Sequence, residues 1–446
     1  MARASIIVVS WNGEAYLGAC LDAIMAQVGA VDEVIVVDNA STDASVALAH
    51  ARYPQVRLVE NNRNLGFAGG LNVGLRVAQG DFLISVNQDV KIHQGWLEAL
   101  LEALAAPGVG IAGCKLFYPD GTIQHAGGII HWPQALADHY GYHQPDDGRW
   151  DKLRSVDYVT GAAWGFRRAV MEQLGLLDEG YWPGYYEEVD YCFRACKAGW
   201  QVVYTPRATG VHYESASLKH GSAAYLEAFH RGRVRFVFKN CGVNQIKAEF
   251  LPAEQRCVYE SSVVPERRML ARAYLSTLMT MPDLSDGERA PAAQGIAVGQ
   301  SQALIGEVIA GLSGLYLFAL HAPPKREEHM DDQAQPIQFP ALHEHDFYSS
   351  VPIVGPLVQL VRRFLYGLAA RWGVLAVIHQ QTQINQRIAA YLQEYEARLV
   401  DQDRDLAYLA RTVAELEIRQ RYLARRMLSQ AGPASQDDAT STTVDK

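Results

Sequence analysis

The chain has 446 residues, 49% hydrophobic and 20% charged, with a formal net charge of −9. Those fractions are close to a globular average, and they exclude a largely disordered chain, a collagen and a polytopic membrane protein. The length allows about three domains, and the acidic balance leaves no overall basic footprint for nucleic acid.

Met1-Ala2-Arg3-Ala4 leads straight into Ser5-Ile6-Ile7-Val8-Val9-Ser10. That run is strand-length and lacks the long apolar stretch of a signal peptide, so a cytoplasmic location is expected. Ile6 to Ser10 predicts a buried strand bounded by Asn12-Gly13. A helix follows over Glu14 to Gln27, then a strand over Glu33 to Asp38. The next helix is expected over Thr42 to Ala51, with Ser41 or Thr42 as N-cap. Val56 to Glu60 is a third strand, Gly69 to Ala78 a helix and Asp81 to Asn87 a fourth strand. Trp96 to Ala105 is a helix, and a fifth strand begins at Gly110. Strands alternating with helices of about ten residues imply βαβ units around a mostly parallel sheet. Because the strands are continuously rather than alternately apolar, helices should cover both faces.

Residues 117 to 160 are irregular and rich in Gly, His, Tyr and Trp, as for loops and short strands over a site. A helix over Glu187 to Ala198 and a strand over Trp200 to Tyr204 follow. Residues 222 to 320 read as mainly helical. Their longest uncharged apolar run, Ile309 to Ala322, is too short to span a bilayer. The six cysteines include no C-x-x-C pair and read as buried reduced thiols.

Ligands of open parallel sheets bind at the carboxyl ends of the strands. Three such ends carry polar clusters: Ser10-Trp11-Asn12, Asp38-Asn39 with the following Ser41-Thr42-Asp43, and Asn87-Gln88-Asp89. A carboxylate ending a strand, as Asp38 does, can accept from a ribose hydroxyl or a base N–H; the alternative role is a helix cap or turn. The turn SWNGEAYLG after the first strand is not the G-x-G-x-x-G of a dinucleotide dehydrogenase, and no P-loop motif occurs.

In order along the chain stand IIVVSWNG, VDEVIVVDNASTD, NLGFAGGLNVGL, NQDV, YPDGTIQHAGG, VTGAAWGFRRAVMEQLGLLDE and YYEEVDYCFRACKAGW, then His212. In these pieces residues 5 to about 240 resemble family 2 glycosyltransferases of the GT-A fold, particularly the bacterial rhamnosyltransferase-like branch. The resemblance implies a nucleotide-sugar donor, a divalent metal (Mg²⁺ or Mn²⁺) and an inverting transfer. By it, Asp38 holds the donor's base or ribose with Ser10, Trp11, Asn12 and Asn39 beside it, while Asn64, Gly66, Asn72 and Asn87 complete the donor site. Asp89 takes the last place of the family's D-x-D metal motif, whose first place is Asn87 here. Mg²⁺ commonly uses one or two carboxylates plus substrate phosphates, so one aspartate still serves. His212 matches the distal histidine that completes the metal site; its alternative is an ordinary strand-end histidine. The family's Glu-Asp pair is Glu187-Glu188 here, which gives Glu188 the role of base. Adjacent acids raise one another's pKa, which suits a base near neutral pH. The alternative is a solvated acidic helix start. Trp164, Tyr185, Tyr186 and Asp190 are assigned to acceptor binding, with core packing the alternative for Trp164.

The expected organisation is an α/β GT-A domain over 1–240, a helical extension over 241–322, a Pro- and charge-rich linker over 323–350, a basic amphipathic segment over 351–380, a coiled coil over 381–430 and a disordered end over 431–446. The segment 351–378 has three arginines and no acid, which suits a helix on an anionic membrane or one packed on protein. Ile388, Tyr395, Leu409, Leu416 and Leu423 alternate at heptad spacing with Leu392, Leu399, Leu406, Val413 and Met427; Gln402 and Gln420 are the polar exceptions. That pattern predicts self-association through a coiled coil, against a single long helix on its own domain.

The expected function is transfer of a sugar, L-rhamnose from dTDP-rhamnose, to a growing surface polysaccharide or lipid-linked acceptor. The same fold with galactofuranose, glucose or N-acetylglucosamine is one alternative. A non-catalytic sugar-nucleotide-binding scaffold of polysaccharide assembly is another.

Overall fold

The β-branched runs near the N-terminus become central strands. Four of them, β1 (Ala4–Ser10), β2 (Glu33–Asp38), β3 (Arg57–Glu60) and β4 (Phe82–Asn87), pair in parallel in the order β3-β2-β1-β4. The computed structural model describes residues 3–214, 222–260, 264–280 and 298–321, with Leu406, Ala407, Leu409, Arg411 and Ala414. The chain divides into two units, Met1–Pro324 with Ala407–Lys446, and Lys325–Leu406. Only the first is described at length. The expected linker, basic segment, coiled coil and disordered end lie outside the described residues, except for a few positions. Of these, Leu406 and Leu409 are heptad members, and both are exposed.

Alternate residues of the strands feed two hydrophobic layers. Ile7, Ile35 and Val37 pack with Leu71 and Leu75 of α3 (Gly66–Val77). Ile6, Val8, Val34 and Val36 pack with Leu17 and Leu21 of α1 (Leu17–Met25), and with Trp96 and Leu100 further along. A sheet buried on both faces explains why its strands read as unbroken apolar runs. The helix α2 (Ser45–Arg52) starts later than expected: neither Ser41 nor Thr42 caps it, and the Asp43 carboxylate instead accepts from the Ser45 amide at 3.0 Å.

Beyond β4 come β5 (Val90–Ile92), α4 (Trp96–Ala105) and β6 (Val109–Phe117). The stretch expected to hold loops and short strands has four of the latter, β7 (Ile123–His125), β8 (Gly128–His131), β9 (Leu136–His139) and β10 (Arg154–Ser155). β11 (Ala163–Arg167) then inserts antiparallel between β4 and β6, so the ten-stranded sheet is mixed. After α5 (Arg168–Leu174) and α6 (Glu187–Lys197), β12 (Gln201–His212) runs far beyond the expected end at Tyr204. Pro206, which has no N–H for the ladder, sits inside a register shift between Thr205 and Thr209, and pairing resumes past it.

The described residues from 222 onward are mainly helical as expected, with α7 (Ala223–Asn240), α8 (Val243–Gln245), a π-helical turn (Ile246–Phe250), α9 (Leu251–Glu260), α10 (Val264–Met279) and α11 (Val298–His321). Arg233 of α7 grips Glu254 of α9 in a buried ion pair at 2.7 and 2.8 Å, and its donation to the Gln134 carbonyl ties these helices to the strand region. The Tyr274 hydroxyl of α10 donates to the same Glu254 carboxylate. Among the described residues, no helix is long and apolar enough to cross a membrane.

Candidate active site

The carboxyl ends of β1, β2 and β4 lie level, with Ser10 opposite Asp38 and Val9 opposite Asn87. A cleft of about 850 Å³ opens there, at the point where strand order reverses about β1. Trp11, Asn39, Asn64, Gly66 and Asn87 line it. Trp11 is held by Gln88, whose side-chain oxygen accepts from the Trp11 amide at 3.0 Å and whose Nε2 donates to the Trp11 carbonyl at 3.0 Å. The close approach of Gln88 requires glycine at 13, where a Cβ would stand 1.9 Å from its Oε1. Gly66 adopts φ +73° beneath Trp182, which a Cβ would meet at 2.8 Å. Asn64 Oδ1 accepts from the Gly66 amide, and Asn39 Nδ2 donates to its carbonyl.

Four expected donor residues do not line the cleft. Ser10 is buried and hydrogen-bonded to Gln88. Asn12 binds the Thr42 amide and the Ser41 hydroxyl, tying the first two loops together. Asp38 is buried: one carboxylate oxygen accepts from the Ser41 amide, and the other has no hydrogen-bond partner among the described residues. Asn72 is a clamp, its side-chain amide bonding both the N–H and the C=O of Leu177.

Asp89 and His212 come together because β5 and the end of β12 form an antiparallel ladder, with His212 opposite Val90. His212 Nε2 lies 3.2 Å from Asp89 Oδ1, and both line the cleft. Among the described residues, no group of three or more His, Cys, Asp or Glu converges as an ion site. A two-residue set still fits a divalent cation that takes its remaining ligands from phosphates and water. Charge points the same way. The described lining carries the carboxylates of Asp89, Asp138, Glu187, Glu188 and Glu214 and no Lys or Arg, so a diphosphate would need a cation there.

Glu187 and Glu188 open α6 directly after Tyr185 and Tyr186, both held at φ +75°. Such backbone strain persists only where surroundings enforce it. Here the Tyr186 hydroxyl donates to the Ala135 carbonyl at 2.7 Å and accepts from the Ala137 amide at 3.0 Å. Glu187 is buried, with one oxygen lacking a partner among the described residues. Burial, and then the charge of Glu188, push its pKa well above the carboxylate range. Burial also raises Glu188, against backbone N–H groups that favour its charged form. The pair therefore departs from a solvated helix start.

Tyr185 lines the cleft edge-on to Tyr225, with Phe229 beyond; Tyr186 is buried, its ring edge against Phe229. The structure does not bring Trp164 or Asp190 to the cleft. Trp164 is wholly buried, packed on Phe166 and Tyr191. Asp190 is wholly buried outside the cleft lining, bound by Arg194 at 2.9 Å, Lys239 at 2.8 Å and Asn240 at 2.7 Å. Gln88, part of the third strand-end cluster, lines the cleft, as do Gln124, Glu214 and Tyr142, to which the sequence gives no site role. The available signal for Gln124 is its place inside YPDGTIQHAGG.

Residues 5–175 match the model of glycosyl transferase family 2. The N-acetylglucosaminyl-diphospho-decaprenol L-rhamnosyltransferase of Mycobacterium tuberculosis is 31% identical over 46% of this chain and 74% of its own length. An uncharacterized protein of Sinorhizobium fredii, y4gI, is 30% identical over 46% of this chain, which spans only 24% of that relative. The O-antigen biosynthesis protein RfbC of Myxococcus xanthus is 30% identical over 48% of this chain and 18% of its own length. With the mixed sheet and the cleft at its carboxyl edge, these matches establish that the chain belongs to glycosyl transferase family 2 and carries a glycosyltransferase domain.

Proposed function

We propose that the chain is an inverting transferase that moves a sugar, L-rhamnose from dTDP-rhamnose, to a growing surface polysaccharide or lipid-linked acceptor on the cytoplasmic side of the membrane. The observation that carries the transfer is one cleft lined by both the raised-pKa acids Glu187 and Glu188 and the Asp89–His212 pair. The names of the mycobacterial and myxococcal relatives support the choice of sugar and acceptor.

In this reading Trp11, Asn39 and the Asn64–Gly66 turn bind the nucleoside, and Asp89 with His212 holds the cation. When bound, that cation supplies charge stabilisation to the departing diphosphate. Tyr185 and Tyr225 offer aromatic faces to an acceptor sugar. A Glu188 carboxylate oxygen takes the acceptor hydroxyl's proton as that oxygen bonds to the anomeric carbon. The bond to the diphosphate breaks on the other face, and the configuration inverts. We assign self-association to the heptad segment and peripheral membrane contact to residues 351–378. Flotation with anionic liposomes, full chain against a truncation after 350, tests the membrane contact.

A panel of nucleotide sugars incubated with acceptor, with and without EDTA, tests the function. Turnover is expected with a deoxyhexose donor and is lost on chelation. Absence of turnover with every donor would leave the non-catalytic scaffold instead.

A further inference from the structure

We propose that Gln124 is a positioning residue of the metal site: held by Glu214, its side-chain amide fixes the His212 ring so that Nε2 presents its lone pair beside Asp89. The proposal rests on the glycosyltransferase reading and its divalent cation.

Gln124 is 4% exposed, in the middle of β7. Its Nε2 lies 3.0 Å from Glu214 Oε2, and its Oε1 lies 2.8 Å from His212 Nδ1. An ionised carboxylate only accepts hydrogen bonds, so Glu214 selects the NH₂ end of the amide. The oxygen end is thereby turned toward His212. A carbonyl oxygen also only accepts, so His212 Nδ1 must be the nitrogen that keeps its proton. Nε2, 3.2 Å from Asp89 Oδ1, is left as the ligating nitrogen. The tautomer of this histidine is thus set two side chains away, by the acidic residue that follows it by two positions. Gln124 also accepts from His139 Nδ1 through its main-chain carbonyl at 3.0 Å, which holds β9 against β7. Partners of this kind commonly change metal affinity by about 10- to 100-fold when removed.

Two measurements on the full-length protein test this. Mn²⁺ alone is titrated with free Mn²⁺ read by electron paramagnetic resonance. Gln124→Ala should weaken binding about 10- to 100-fold. The exchanged pair Q124E/E214Q restores an acceptor for His212 and a donor–acceptor contact between the two positions, so it should recover most of the affinity. Wild-type affinity in Gln124→Ala, or no recovery in a folded exchanged pair, overturns the proposal. An unmodified protein that binds no Mn²⁺ overturns the metal reading and this proposal together. As a readout of the tautomer itself, ¹H–¹⁵N correlation of the Mg²⁺-loaded native protein at pH 8 should show His212 protonated at Nδ1, assigned by its loss in a folded His212→Asn. Protonation at Nε2 instead overturns the proposal while leaving the transferase reading intact.

Discussion

Asp89 and His212 stand 3.2 Å apart because the last pair of an antiparallel ladder, His212 against Val90, carries the end of β12 to the start of β5. Residues from two distant segments thus meet at the edge of the cleft. Asp89→Ala should lower kcat/KM by at least about 100-fold, as expected when a transition-state charge stabiliser is lost. EDTA should abolish the wild-type activity, and Mg²⁺ or Mn²⁺ should restore it. Full activity in chelator would overturn the assignment.

Glu188 is the residue whose charge state should govern the rate. Removing a general base costs about 10²- to 10⁴-fold, so Glu188→Ala should fall in that range while Glu188→Asp keeps substantially more. Because burial raises the pair, the carboxylate form appears at higher pH than the roughly 4.3 of an ordinary glutamate. The kcat profile should therefore rise with pH through an acid limb above that value. Glu187 is still protonated over that range, so Glu187→Gln removes no charge there and should leave the limb in place. Equal kcat in wild type, Glu188→Asp and Glu188→Ala would sink the assignment.

The same buried acid carries a stability cost. A raised folded-state pKa means that the fold prefers Glu187 protonated, so its favourable contribution is complete at low pH and lost as pH rises through the folded value. Glu187→Gln should therefore raise Tm at pH 8 more than at pH 5. Each unit of pKa displacement corresponds to about 1.4 kcal/mol, and about 1 kcal/mol moves Tm by roughly 2–4 °C in a domain of this size. Thermal melts at the two pH values check the difference.

Asp178 works in the opposite direction. Against the upward push of burial, Lys239 and then Arg235 hold it down to about 2. Its stabilisation is present above the unfolded value of about 3.9 and disappears as pH falls toward 2. Asp178→Asn should lower stability at pH 7 and have little effect near pH 2. Denaturant melts at the two pH values measure both.

Gly66 combines a positive φ with contact beneath Trp182 and the Pro183 carbonyl. Gly66→Ala should cost about 1–2 kcal/mol in backbone strain alone, and, under the proposed donor-binding role of the turn, it should raise the donor KM more than it lowers kcat. Steady-state kinetics with varied donor separate the two effects.

The repeating strand and helix patterns of the first 110 residues were legible because each depends on local period: apolar runs for covered strands and amphipathic spacing for helices. The polar clusters at the strand ends were legible for the same reason, and Trp11, Asn39, Asn87 and Asp89 do line the cleft. Asp38, Asn72 and Asp190 carry the same residue types, yet they turn into a loop, a clamp and an ion network. Side-chain direction depends on which segment packs alongside, and no local pattern encodes that.

Sequence alone therefore determined the βαβ order, the family and the acids at 187 and 188, all of which are written in short contiguous stretches. Only the tertiary structure decided that β11 enters antiparallel, that β12 continues past Pro206 to deliver His212, and that Gln124 and Glu214 stand behind that histidine. Those relationships are ladder pairings and hydrogen bonds between remote segments. Their energies exist only once the sheet has brought the partners together.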